Sequence, residues 1–273
     1  MTGPIGIFDS GYGGLTIMKA IVNDLPQYDC IYLGDNARAP YGDRSFEAVY
    51  QYTRQSVQWL FSKGCRLVII ACNTASAKAL RTIQQQDLPS ADPGLRVLGV
   101  IRPTSEVIGN LSKTGHVGIL GTKGTVLSES YLLEVQKFFP GLIVTQEACP
   151  IWATLVENNE CDSPGTHFFV EKHIRHLLSQ DPAIDTLLLA CTHYPLLMPV
   201  IQKYVPSGLS VIEQGPIVSA SLVDYLKRHP EMEIMCSKGG HLRYFSTGDP
   251  ADFDLHATQF FGQPVKSQHI DLQ

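Results

Sequence analysis

The sequence has no long apolar run. Stretches such as Leu67–Cys72 and Leu187–Cys191 are far shorter than the roughly 20 residues a membrane span requires. It has no excess of positive charge either: 21 Lys and Arg stand against 26 Asp and Glu, a net −5, which removes the electrostatic footprint of a nucleic-acid binder. The opening Met1-Thr2-Gly3-Pro4-Ile5 carries neither a basic stretch nor an apolar core, so no secretory signal is expected. Cys-x-x-Cys spacing is also missing. The seven cysteines, at 30, 65, 72, 149, 161, 191 and 236, are odd in number and scattered. That argues against a disulfide framework, a structural zinc site or a dithiol redox protein, and for a reduced, cytoplasmic chain.

What the sequence does have is core material, with 44% hydrophobic residues over 273 positions. Short β-branched runs recur at Ile5–Phe8, Cys30–Leu33, Leu67–Ala71, Val97–Val100, Val117–Leu120, Leu142–Thr145, Thr186–Ala190, Leu209–Ile212 and His241–Phe245. Segments of helical periodicity separate them. The clearest opens at Ser45 as N-cap, places Phe46, Val49, Tyr50, Thr53, Val57, Leu60 and Phe61 on one face, and stops at Gly64. Apolar strands alternating with helices predict an α/β fold of mainly parallel sheets flanked by helices. In such folds ligands bind beyond the carboxyl ends of the strands.

Two segment pairs repeat in the same order. Ile5-Gly6-Ile7-Phe8-Asp9-Ser10 is similar to Val117-Gly118-Ile119-Leu120-Gly121-Thr122, and Val68–Thr74 is similar to Leu187–His193. This predicts two similar, pseudo-symmetric domains: residues 1–98 with 211–273, and residues 99–210. Each repeat places a cysteine, Cys72 or Cys191, at a strand end before polar residues and a helix candidate. A helix N-terminus lowers a thiol pKa and attracts carboxylates, so both thiols are expected to be primed as bases. If the halves face each other, the thiols reach one cleft from opposite sides. Racemisation needs that geometry, because an inverted product forms only when the proton returns from the other face.

Asp9-Ser10-Gly11 with Gly13-Gly14, Pro40-Tyr41-Gly42, Ala71–Ser76, Gly121-Thr122-x-Gly124-Thr125, Cys149-Pro150 with Glu157, and Cys191–Pro195 together resemble glutamate racemase, in that family's order and as far as about residue 215. The resemblance implies that Cys72 is the base for D-glutamate and Cys191 the base for L-glutamate. It further implies that Asp9, His193 and Glu157 assist. Ser10, Tyr41, Gly42, Asn73, Thr74, Thr122 and Thr192, with Asp9 and His193, would hold the substrate's carboxylates and ammonium. It also implies a reaction without cofactor or metal, and a role in supplying D-glutamate for peptidoglycan. Plainer readings stay open: Asp9 capping the first helix, His193 as a core histidine, Glu157 as a polar helix end, Tyr41 as packing. A homodimer is compatible with the sequence, which does not specify one.

The sequence departs from the common family pattern at Trp152, at Ala190 (usually Gly), at Arg102 (often an acid) and at Glu213-Gln214-Gly215 (commonly Asp-Ser-Gly). The glycine-rich loop after the first strand lacks the Lys-Ser/Thr of a phosphate-binding loop and the spacing of a dinucleotide fingerprint. His173 and His176 near Glu171 read as a solvated helix face rather than a metal site. Lys123 could carry pyridoxal phosphate, which two thiols make unnecessary. The rival readings are a racemase for another small acidic amino acid such as aspartate, a thiol redox protein, and a non-catalytic binding module.

Overall fold

The computed structural model describes residues 2–272. Among the described residues ten strands alternate with helices. The first six-stranded sheet holds β1 (Ile5–Asp9), β2 (Cys30–Gly34), β3 (Leu67–Ile70), β4 (Arg96–Gly99), β9 (Leu242–Ser246) and β10 (Ser267–His269) in the order β10-β9-β2-β1-β3-β4. The second holds β5 (His116–Gly121), β6 (Ile143–Ala148), β7 (Thr186–Ala190) and β8 (Ser210–Ile212) in the order β6-β5-β7-β8. Every pairing within both sheets is parallel. The order 2-1-3-4 of the first sheet is repeated as 6-5-7-8 in the second, so the sequence repeat is a repeat of topology.

The central strands β1, β2, β3 and β7 are buried at every residue. This explains why they read as unbroken apolar runs. The edge strand β6 is only half-buried. All nine expected strands are present with ends within three residues of those expected, and β10 is the addition. Ser-Gln-His has no apolar pattern, and this edge strand exists because β9 offers a free side to pair with.

Helix α1 (Leu15–Asp24) buries Leu15, Ile17, Met18 and Ile21. Helix α2 (Phe46–Ser62) starts at Ser45, whose Oγ accepts from the Ala48 amide at 3.2 Å. It ends where Gly64, at φ +89°, lets its own amide reach the Phe61 carbonyl and that of Cys65 reach the Leu60 carbonyl. One expectation for this helix fails. Phe46 is 51% exposed, lying in the first turn under the Lys78 ammonium, 5.1 Å from its ring centre; the buried face is Val49, Thr53, Ser56, Val57 and Leu60.

The chain crosses between the sheets twice, through residues 100–115 and through the helix Gln214–Arg228, which packs along α1. Ile17, Met18, Val218 and Leu222 from these two helices join Leu187 and Leu189 of the second sheet in one continuous buried cluster. The two sheets therefore share part of their core. No helix among the described residues is long and apolar enough to cross a membrane.

Candidate active site

The chain reverses direction across each sheet between two neighbouring strands, β1 and β3 or β5 and β7. The crevices at those carboxyl ends open toward each other. The resulting cleft is lined by Ser10, residues 39–43, Cys72–Thr74, Thr122 and Lys123, Pro150, Ala153, Thr154, Glu157 and Cys191–His193. A larger cavity of about 350 Å³ lies behind the Cys191 loop, between α1 and the start of the helix Gln214–Arg228, but it does not include Cys72. The narrower cleft contains both thiols, and its chemistry outweighs the other's size.

Cys72 follows β3 and caps helix α3 (Asn73–Lys78): its Sγ accepts from the Ala75 amide at 3.4 Å and lies 3.4 Å from Ser10 Oγ. The expected lowering of this thiol's pKa does not occur. Burial pushes it up to about 12, the Asp9 carboxylate adds to the rise, and the Ser10 and Ala75 contacts oppose it without prevailing. Desolvation outweighs the amides of a single short helix, so Cys72 rests as a neutral thiol.

Cys191 differs from its expected setting in another way. No α-helix starts at it: the chain passes through a turn and a 3-10 segment, Tyr194–Leu197, before the helix Met198–Tyr204. Pro195, having no N–H, stands in that first turn. A histidine takes the place of helix amides. His193 Nδ1 lies 3.9 Å from Cys191 Sγ, and its Nε2 is 2.9 Å from Glu157 Oε1. Burial disfavours the imidazolium, but the bonds to Cys191 and Glu157 outweigh it and hold His193 well above its ordinary range. Glu157 is both the last residue of its helix, Trp152–Glu157, and the partner of this histidine.

Asp9, fully buried at the end of β1, accepts from the Gly11 amide at 2.9 Å and from Thr192 Oγ1 at 3.4 Å. It does not cap α1, whose first turn has no side-chain cap. Burial raises its pKa, the His193 charge counteracting. Thr74 Oγ1 meets Thr122 Oγ1 at 2.8 Å across the two lobes, and Gly42 packs on Thr122. The close approach elsewhere needs Gly13, where a Cβ would press on Thr192 Oγ1 and lie 2.5 Å from His193 Nδ1.

Two of the expected binding side chains are otherwise engaged. The Tyr41 hydroxyl donates to Asp35, and the Asn73 amide bonds to Gln214 and Tyr131. Asp35 itself went unnoticed in the sequence. Fully buried directly after β2, it also accepts from Arg38 Nε at 2.6 Å and Thr247 Oγ1 at 2.8 Å, anchoring the loop 39–43. Its place after a parallel strand, like that of Cys72 after β3, was the available signal. Of the histidines set aside, His176 pairs with Glu147 and His173 is buried against Trp152, while Glu171 pairs with Arg175. Trp152 fills the space beneath Tyr194, with ring centres 4.9 Å apart.

The Asp/Glu/hydantoin racemase profile matches residues 5–220, both strand-end cysteines included. The chain belongs to this family. It is 36% identical over 270 residues to glutamate racemase from Streptococcus suis, covering 98% of each chain. It superposes on a glutamate racemase isoform from Bacillus anthracis with a TM-score of 0.89 at 32% identity, covering 99% of this chain and 98% of that one. The Francisella tularensis glutamate racemase, solved in complex with D-glutamate, matches with a TM-score of 0.88 at 28% identity, over 100% of this chain and 98% of that one. Membership among the glutamate racemases makes the protein an isomerase.

Proposed function

We propose that this racemase interconverts L- and D-glutamate by a two-base proton transfer between Cys191 and Cys72, without cofactor or metal. The observation that carries the reading is the placement of the two thiols after equivalent strands, β3 and β7, on opposite walls of one cleft. L-Glutamate loses its α-proton to the Cys191 thiolate, whose charge the His193 imidazolium balances. The electron pair left on Cα is delocalised into the α-carboxylate. The neutral Cys72 thiol then delivers its own proton to the opposite face, becoming the thiolate that serves the reverse reaction. The high proton affinity of Cys72 suits it to stand ready as the acid. Asp9, buried at the end of β1 and bonded to Thr192, assists from behind the cleft wall; the Ser10, Thr74, Thr122 and Thr192 hydroxyls and the Gly42 backbone bind the carboxylates without a large fixed charge.

In this reading the lobe carrying Cys72 comprises residues 1–98 with the chain after about 211, and residues 99–210 form the other. Strand β8 completes the second sheet before the return. The setting is the cytoplasm, where the product enters peptidoglycan synthesis, and the active unit accommodates a homodimer. Circular dichroism on each glutamate enantiomer, with chelator-dialysed protein and no additive, tests the proposal. Loss of optical activity from both enantiomers supports it, and activity that returns only with a metal or pyridoxal phosphate refutes it.

A further inference from the structure

One residue in the departing Glu213-Gln214-Gly215 segment lies at a junction the site does not account for. Gln214 opens the helix Gln214–Arg228 at the second crossover and is 3% exposed. Its Nε2 shares two protons among the Val100 carbonyl at 3.2 Å, Thr104 Oγ1 at 2.9 Å and the Tyr131 hydroxyl at 2.8 Å. Its Oε1 accepts from Asn73 Nδ2 at 2.7 Å, and the Tyr131 hydroxyl donates to Asn73 Oδ1 at 2.6 Å. One group fixes every orientation in this set. The Val100 carbonyl can only accept, so the Gln214 amide nitrogen must face it and the oxygen must face Asn73. Asn73 then presents its nitrogen to Gln214 and its oxygen to Tyr131. Nothing in the circuit can flip alone without leaving a buried polar atom unpaired.

The circuit joins four pieces of chain: the first crossover at Val100 and Thr104, the second at Gln214, the second lobe at Tyr131, and the first lobe at Asn73. Asn73 is bonded directly to Cys72 and begins α3, so fixing its side chain fixes the peptide from which the Cys72 thiol is aimed. None of these hydrogen bonds reaches the Cys191–His193 loop. We infer that Gln214 is a positioning residue for the Cys72 base, holding it through Asn73 at a set distance from the opposite lobe; this rests on the two-thiol reading above. The consequence is one-sided: loosening Gln214 slows proton transfer at Cys72 and leaves transfer at Cys191 intact.

The test is Gln214→Met, which keeps the length of the side chain and removes its hydrogen bonds. A second variant, Tyr131→Phe, opens the same circuit while retaining the ring, and melting temperatures are recorded for both. The expected fall in kcat is roughly ten- to a hundredfold, the scale of a misplacement of about 1 Å at a reacting group. Equilibrium forces kcat/KM to fall equally in both directions, so rates alone do not locate the fault. Isotope effects do. With α-deuterated D-glutamate the effect on kcat/KM rises relative to the parent, because abstraction by Cys72 becomes limiting; with α-deuterated L-glutamate it falls. Cys72→Ser, measured alongside, shows this asymmetry in its extreme form. Asymmetry in Cys72→Ser with none in Gln214→Met and Tyr131→Phe overturns the inference alone. No asymmetry in Cys72→Ser overturns the two-thiol reading, and the inference with it.

Discussion

Cys72 and Cys191 follow equivalent strands of two sheets with the same strand order, yet their surroundings have diverged. Around Cys72 the chain provides a short helix, a serine hydroxyl at 3.4 Å and the buried Asp9 carboxylate, and the thiol keeps its proton. Around Cys191 it provides no α-helix start but a histidine held by Glu157. The repeated strand order placed two like groups on two walls; the loops that follow left one a buried thiol and gave the other a histidine partner. Pseudo-symmetry of the fold thus coexists with unlike surroundings for the two thiols. In a two-base reaction one thiol is charged while the other is not, and the two exchange states with each turnover.

The largest effects come from removing either side of the pair. Cys72→Ser and Cys191→Ser should each lower kcat in both directions by about 10²–10⁴-fold, the usual contribution of a positioned acid or base. Each variant should favour α-hydrogen exchange with heavy water from the opposite enantiomer, read by NMR. A variant that racemises at near the parent rate would remove its thiol from the reaction.

His193→Asn sharpens the contrast, because it withdraws the cationic partner from one thiol only. We expect a loss of roughly ten- to a hundredfold, within the range for an assisting group at short range. Its isotope asymmetry should be the reverse of that for Gln214→Met, larger for L-glutamate. Equal isotope effects with both enantiomers would show that His193 serves the two thiols alike.

A smaller effect tests the approach of the lobes. Gly13→Ala places a methyl group against Thr192 and His193, whereas Gly124→Ala places one 2.6 Å from the Gly42 carbonyl and 2.8 Å from Lys78 Nζ. Overpacking of this kind costs about 1–3 kcal/mol. Thermal unfolding should show comparable losses for both, while kcat should fall further for Gly13→Ala, whose neighbours belong to the Cys191 machinery. Parent-like melting of both variants would mean that the lobes yield without cost.

The smallest expected effect concerns the starts of β3 and β7. Arg66 precedes β3 and pairs with Asp92 at the surface. Asp185 precedes β7 and accepts from Ser112 Oγ and from the Lys113 and Thr114 amides at 2.6–2.9 Å. Partial burial opposes its ionisation, but these bonds prevail and hold its carboxyl well below the usual range. A depressed folded pKa stabilises the fold above the unfolded value of about 3.9, and that stability is lost as pH falls toward the folded value. Asp185→Asn should therefore cost about 1 kcal/mol at pH 7, and the gap to the parent should narrow below about pH 4. A gap independent of pH would assign the cost to packing.

Much of this was legible in the residues. Buried parallel strands announce themselves as apolar runs, and the repeated strand-end motifs set Cys72 and Cys191 at equivalent strand ends, while Asp9 and His193 came forward through the family resemblance. Strand β10 was not legible, since Ser267–His269 pairs only by virtue of its neighbour. Nor was Asp35, whose partners Tyr41 and Thr247 lie far apart in the chain.

The sequence by itself determined the alternation of elements, the repeat, and which side chains stand at the ends of β1, β3, β5 and β7. All of these follow from patterns a few residues long. Only the tertiary structure decided that Cys72 rests protonated, that His193 leans on Glu157, and that Gln214 holds Asn73. Desolvation and hydrogen-bond partnership depend on what the rest of the chain packs around a group, and no local pattern encodes that.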